Sequence, residues 1–201
     1  MINLKAMLKR IILILIAFIF ALSSKSQPTF DLGLKAGANF SKISLNLEDY
    51  SSEAALKTHL GAFCRLGWDR VFLQPEIYYS GKGGNLKSSI TSLISSFDYS
   101  TVDVPVLLGI KIVKGKAFGL NAVGGPVFSG IATKKIDDGS LFNEDFYEKH
   151  YFGIQYGLSV DVLFLTFDAR MENGLNRFYK SQVSSDMKSN TFMLSVGFKF
   201  L

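Results

Sequence analysis

From Phe30 to Phe40 the chain alternates without a break. One phase reads Phe30, Leu32, Leu34, Ala36, Ala38 and Phe40; the other reads Asp31, Gly33, Lys35, Gly37 and Asn39. Side chains alternate across a strand, so this is a strand with one greasy face and one polar, glycine-rich face. Seven more segments repeat the pattern, over 58–68, 71–80, 101–112, 118–128, 151–162, 165–172 and 192–200. The fifth has the least clean phase. Pro75 removes one ladder donor from the third, which predicts a bulge there. Each segment is near the length that crosses a bilayer when tilted.

The connections sort into two classes. Those after strands two, four and six are short, near Asp69, Gly115 and Leu163. Those after strands one, three, five and seven are long, over 41–57, 81–97, 129–150 and 173–190. Short periplasmic turns and long outer loops are the asymmetry of an outer-membrane barrel, and an even strand count returns both termini to the periplasm. The expected fold is therefore all-β: an eight-stranded antiparallel transmembrane β-barrel.

A soluble barrel shows the same period with its greasy face inside. Two features argue for the opposite orientation. An eight-stranded barrel has room inside for side chains or one small ligand, and five or six residues per strand, many of them Phe, Leu, Ile and Val, would overfill it. The glycine-rich phase fits that space. The inward charges also nearly balance: Asp31, Glu76, Asp103, Asp161, Asp168 and Glu172 against Lys35, Arg65, Lys111, Arg170 and Lys199. In a narrow lumen these should pair, because an unpaired buried charge is costly. This predicts a structural plug, with an ion path as the sharper alternative. Trp68, Tyr79, Tyr156, Phe192 and Phe200 are candidates for interfacial girdles.

The first 26 residues have the form of an export signal. Lys5, Lys9 and Arg10 precede an unbroken apolar run from Ile11 to Leu22, and Ser24 and Ser26 offer small residues before a cut at Gln27. The expected organisation is a signal peptide over 1–26 and a barrel domain over 27–201. The formal charge of +5 is mostly that leader: four of the 22 basic residues lie in it, leaving 18 against 17 acidic ones. The basic balance thus gives little support for nucleic-acid binding. The single cysteine, Cys64, excludes an internal disulfide framework and reads as a small hydrophobe in the outward phase.

Several segments resemble the PorT-like outer-membrane β-barrel proteins of Bacteroidetes. They are Gly33-Leu34-Lys35-Ala36-Gly37-Ala38-Asn39-Phe40-Ser41, Gln74-Pro75-Glu76-Ile77-Tyr78-Tyr79-Ser80-Gly81-Lys82-Gly83, Val104-Pro105-Val106-Leu107-Leu108, Gly124-Gly125-Pro126, Asp168-Ala169-Arg170-Met171-Glu172-Asn173-Gly174-Leu175 and the ending Leu194 to Leu201. The resemblance implies an eight-stranded barrel and, through the founding member, a link to protein secretion. Two features depart from it: the apolar turn Val162-Leu163-Phe164-Leu165, and the final Phe200-Leu201 where a terminal aromatic is expected.

Candidate chemistry is sparse. A lipid-modifying barrel needs a nucleophile, a base and an orienting acid in one place. The only histidines are His59 and His150, both near the outer rim, where Ser80 and Glu76 end the third strand. A Ser–His hydrolase using either histidine with Ser80 is the enzymatic alternative; two solvated loop-end histidines are the plainer reading. Asp137-Asp138-Gly139 lacks calcium-loop spacing, and the glycines from Gly81 to Gly84 are followed by no Walker-type lysine. No catalytic, metal or cofactor-binding residue is assigned. The expected protein is a monomeric, non-enzymatic outer-membrane barrel without cofactors. Its partners are outer-membrane lipid and envelope or secretion proteins, and it displays loops or supports a secretion assembly; a narrow pore is the third class.

Overall fold

The computed structural model describes residues 28–44, 50–88, 94–115, 117–136, 150–175 and 188–201. The expected signal peptide and Asp137-Asp138-Gly139 lie outside them. The described chain forms β1 (Thr29–Ser44), β2 (Tyr50–Trp68), β3 (Val71–Ser88), β4 (Ile94–Lys114), β5 (Phe118–Ile136), β6 (His150–Val162), β7 (Leu165–Gly174) and β8 (Lys188–Lys199). All neighbours are antiparallel, and β1 pairs with β8 from Gly33↔Lys199 to Ser44↔Lys188, so the sheet closes on itself. Closure removes both sheet edges and satisfies the backbone within the wall, which is what a hydrocarbon environment demands.

Orientation is as expected. The large apolar residues of the regular phase face outward, among them Leu34, Leu60, Ile77, Leu108, Leu158, Leu194 and Phe198. Lys35, Arg65, Glu76, Asp103, Asp168, Arg170 and Glu172 are buried inside. Cys64 sits half-buried in the outward phase. Among the described residues, the outward charges are confined to two levels. Lys57 and Asp98 pair at 2.5 Å toward the long-loop end; Asp69 and Lys114 pair at 2.5 Å at the short-turn end. That bond from Lys114 holds the Asp69 carboxyl below its usual range. Between the two levels β4 shows only Val102, Val104, Val106, Leu108, Ile110, Ile112 and Val113 outward. At a rise of ~3.4 Å per residue and a tilt near ~40°, Val102 to Ile112 climbs about 25 Å, the height of a barrel's apolar band.

The strands run further than the alternation suggests. Much of 41–57, 81–97 and 129–150, read from sequence as loop, continues the ladders of β1 to β5. There the sequence no longer alternates apolar with polar, while the backbone pairing carries on. Pro75 makes no bulge: β3 and β4 keep one register from Val71↔Ile110 to Lys87↔Ile94. The ladder skips Glu76–Ile77 opposite Val104–Pro105 and resumes in phase, while Pro75 stays paired with Val106 and lies in a matching gap of the β2–β3 ladder, Gln74–Pro75 opposite Cys64–Arg65. The β2–β3 register shifts elsewhere, between Ala54↔Gly84 and His59↔Ser80.

Two hairpins turn through residues with positive φ, Asp69 (52°) and Leu163 (53°). Asp tolerates that region; Leu does not. The apolar turn noted in the sequence is thus strained as well as greasy.

The orientation predicts a graded penalty for charge on the outer wall. Leu108→Arg, in the middle of the band, should destabilise the barrel by about 2–4 kcal/mol, and Ser100→Arg, near its outer limit, by about 0–1 kcal/mol. Urea titration of both variants in liposomes measures the difference.

Candidate functional site: the filled lumen

The inward side chains of seven strands meet in three layers. In the middle layer Lys35 of β1 donates to Glu76 of β3 at 2.7 Å and sits 3.0 Å from Asp168 of β7. Arg170, also on β7, forks onto both oxygens of Glu76 at 2.9 and 3.1 Å and donates to Asp168 at 2.8 Å. The result is a closed ring of two cations and two anions, each side chain at most 3% exposed. It ties together strands that are not neighbours in the wall.

Toward the long-loop end, Lys82 reaches Asp103 at 2.9 Å, Glu172 at 2.5 Å and the Tyr151 hydroxyl at 2.6 Å. Gln155 donates to the other oxygen of Glu172 at 2.7 Å and to the Tyr78 hydroxyl. Lys82 thus hydrogen-bonds Glu172 and Tyr151 and faces Asp103 as an ion pair. Toward the short-turn end, Arg65 donates to Asp161 at 2.6 Å and to Gln74 at 2.7 Å, with its guanidinium 4.5 Å above the Phe72 ring. Phe72, Leu107 and Val123 fill the space beside it. Gly109 explains how a phenyl ring fits: a Cβ there would lie 2.0 Å from the Phe72 ring. Asp31 and Lys111 stand half-buried at the periplasmic mouth, beyond these paired layers.

His59 is not at the rim. It is buried in the lumen, where Nδ1 donates to Asn39 Oδ1 at 2.7 Å and Nε2 accepts from the Ser195 hydroxyl at 2.9 Å. The tautomer follows from Asn39, whose Nδ2 donates to Ser80 Oγ at 2.7 Å and to the Gly81 carbonyl at 3.0 Å. Gly37 makes the reach possible. It is the register partner of both His59 and Ser195, and a Cβ on it would fall 2.6 Å from His59 Cε1.

The histidine and the serine named together from sequence are thus separated by an asparagine: Ser80 is the register partner of His59 but bonds to Asn39. Ser195 takes the place at Nε2. His150 is exposed at the start of β6, opposite Gly130. The array Ser195–His59–Asn39 has the connectivity of a nucleophile, base and orienter. Its surroundings do not match that role, because all three are buried and the adjoining backbone N–H groups are committed to the wall ladders. Among the described residues no group of three or more His, Cys, Asp and Glu could hold a metal ion.

The alternation read from sequence ends the third strand at Ser80 and so leaves out Lys82. The inward parity of Gln74, Glu76, Tyr78 and Ser80 extends to it directly. Asn39 lay in the inward phase already, but nothing in the spacing links it to His59 and Ser195, which are 136 residues apart.

A family model described as outer membrane protein beta-barrel domain matches residues 24–180. The chain belongs to this family, and its place is the outer membrane. The outer membrane protein OprG of Pseudomonas aeruginosa is similar in fold, with 13% identity, 89% of this chain and 98% of that chain covered, and a TM-score of 0.55. Neisserial surface protein A matches at 11% identity over 84% of this chain and 97% of its own, with a TM-score of 0.50. The attachment invasion locus protein of Yersinia pestis, solved with the heparin analogue sucrose octasulfate, matches at 16% identity, 85% and 99% coverage and a TM-score of 0.47. No curated protein matches.

The layered charges predict a large effect from a single neutralisation. Lys82→Met leaves Asp103 and Glu172 buried without their cation and should cost roughly 3–5 kcal/mol. Equilibrium unfolding of wild type and variant in the same detergent checks it.

Proposed function

We propose that this protein is a non-enzymatic outer-membrane barrel whose work is done outside the lumen, by the polypeptide raised above the outer leaflet. The observation that carries this reading is the filled interior. Three layers of paired side chains cross the lumen, and Glu76, Lys82, Asp103, Asp168, Arg170 and Glu172 are all buried there. A conducting path would have to break several charge-assisted bonds at once. The wall, by contrast, is built to project. β2 to β5 run for 18–21 residues each, against 10–13 for β6 to β8, so one side of the barrel carries its ladder well beyond the apolar band.

In this reading residues 1–26 are an export signal and the mature barrel is a monomer in lipid. The raised sheet and the segments that join its strands bind other envelope proteins. Support of a secretion assembly, which the PorT-like resemblance implies, is the specific form of that role. The hydrolase alternative gains an array at Ser195, His59 and Asn39, but its serine is buried in the lumen beyond the imidazole. The pore alternative gains no continuous channel.

Two measurements test this. Purified protein in planar bilayers should give no discrete conductance steps above the lipid background; regular steps would restore the pore. Replacing 45–49, 89–93, 137–149 and 176–187 by short turns should leave assembly intact but remove proteins that co-purify from solubilised envelope. Unchanged co-purification from the trimmed barrel would end the display reading.

A further inference from the structure

Among the described residues the wall is irregular in three places: β4–β5 shifts register at Ser100/Thr101 and at Lys111/Val113, and β2–β3 shifts between Ala54 and His59. At the β2–β3 register shift, residues 55–58 of β2 stand opposite residues 81–83 of β3, four against three. An extra residue on one strand bends it and re-aims its side chains. Here Ala55 and His59 are buried inside and Leu56 and Thr58 are exposed outside, while Lys57 between them is half-buried and reaches toward β3 and β4. Lys57 then lies across the outer face of Gly81. Ser80 and Lys82 point into the lumen, so a Cβ on Gly81 would point outward, and it would meet Lys57 Cβ at 3.2 Å. The lysine continues over Gly81 to Asp98 on β4.

The bulge opens a notch of about 620 Å³ in the wall. Gly37 and His59 are among the residues that line it. Its lower walls are apolar: Ala36, Leu60 and Tyr79. Its upper lip is polar: Lys57, Thr58 and Ser100. This lip coincides with the outer limit of the apolar band on β4. Lys57 stands at that level, and in its pair with Asp98 both side chains are partly exposed. Exposed pairs of this kind are worth little and exchange readily.

We propose that this notch is a binding site for an outer-leaflet lipid, with an acyl chain against Ala36, Leu60 and Tyr79 and a phosphorylated headgroup on Lys57. The chemistry is set by position. The notch faces hydrocarbon below and headgroups above, and the Lys57 ammonium at that boundary suits a phosphate. Thr58 and Ser100 add hydroxyl donors beside it. Lys57 leaves Asp98 when the phosphate arrives.

The test uses the full barrel refolded into phosphatidylcholine nanodiscs that contain either phosphorylated or dephosphorylated lipid A. Native mass spectrometry counts the lipid A retained on extraction. Wild type should retain phosphorylated lipid A, and Lys57→Gln should lower retention roughly fivefold, the effect of one lysine at a charged membrane surface. Lys57→Arg and Lys114→Gln should retain it as wild type does, and Asp98→Asn should retain at least as much. Heat-dependent gel mobility confirms that each variant is folded. Equal retention by Lys57→Gln and wild type overturns the proposal, as does equal retention of the dephosphorylated lipid.

Discussion

Closure of β1 onto β8 is the constraint from which the other features of this molecule follow. In hydrocarbon an unpaired backbone N–H or C=O costs several kcal/mol, so the sheet must end where it began. Once closed with eight strands, the barrel has a lumen too narrow to stay empty and too narrow to stay wet. The polar side chains of the inward phase then depend mainly on one another. The outward phase has no such demand beyond being apolar.

The filled lumen meets that demand by two devices. Ionic layers join strands that are distant around the wall, as when Lys35 of β1, Glu76 of β3 and Asp168 and Arg170 of β7 close into one ring. Glycines in the same phase give room to the bulky members, as Gly109 does for Phe72 and Gly37 for His59. The His59 array belongs to this second device. Its connectivity invites a catalytic reading, yet its burial and its place over a glycine make it a hydrogen-bonded strut across β2, β1 and β8. Chemistry at the lipid-facing surface is concentrated where the β2 bulge turns Lys57 out of the regular pattern.

The apolar band was legible residue by residue, because within it the two faces of a strand meet opposite environments. Leu60, Ala62, Cys64 and Leu66 could be separated from His59, Gly61, Phe63 and Arg65 without any knowledge of partners. Outside the band this contrast disappears. Strand ends at Ser44, Ser88 and Ile136 therefore carry no alternation, although their ladders persist. Lys82 continues the inward parity of Ser80, but its neighbours Gly81 and Gly83 carry no apolar side chain to mark the outward phase. The Pro75 bulge failed for a different reason: a closed sheet can accept a local loss of donors without a change of register, provided the neighbouring pairs hold it in phase.

The order of apolar and polar residues alone determined the number of strands, which face meets lipid, which ends carry short turns and which charges are inside. These properties depend on a period of two and on local environment, and both are written in adjacent residues. Only the tertiary structure decided which inward groups meet. Glu76 finds Lys35 and Arg170, Lys82 finds Asp103 and Glu172, and His59 finds Ser195, because strand tilt and stagger bring together positions 21 to 136 residues apart. The bulge at Lys57 is of the same kind, since it arises from a mismatch between two strands and belongs to neither alone.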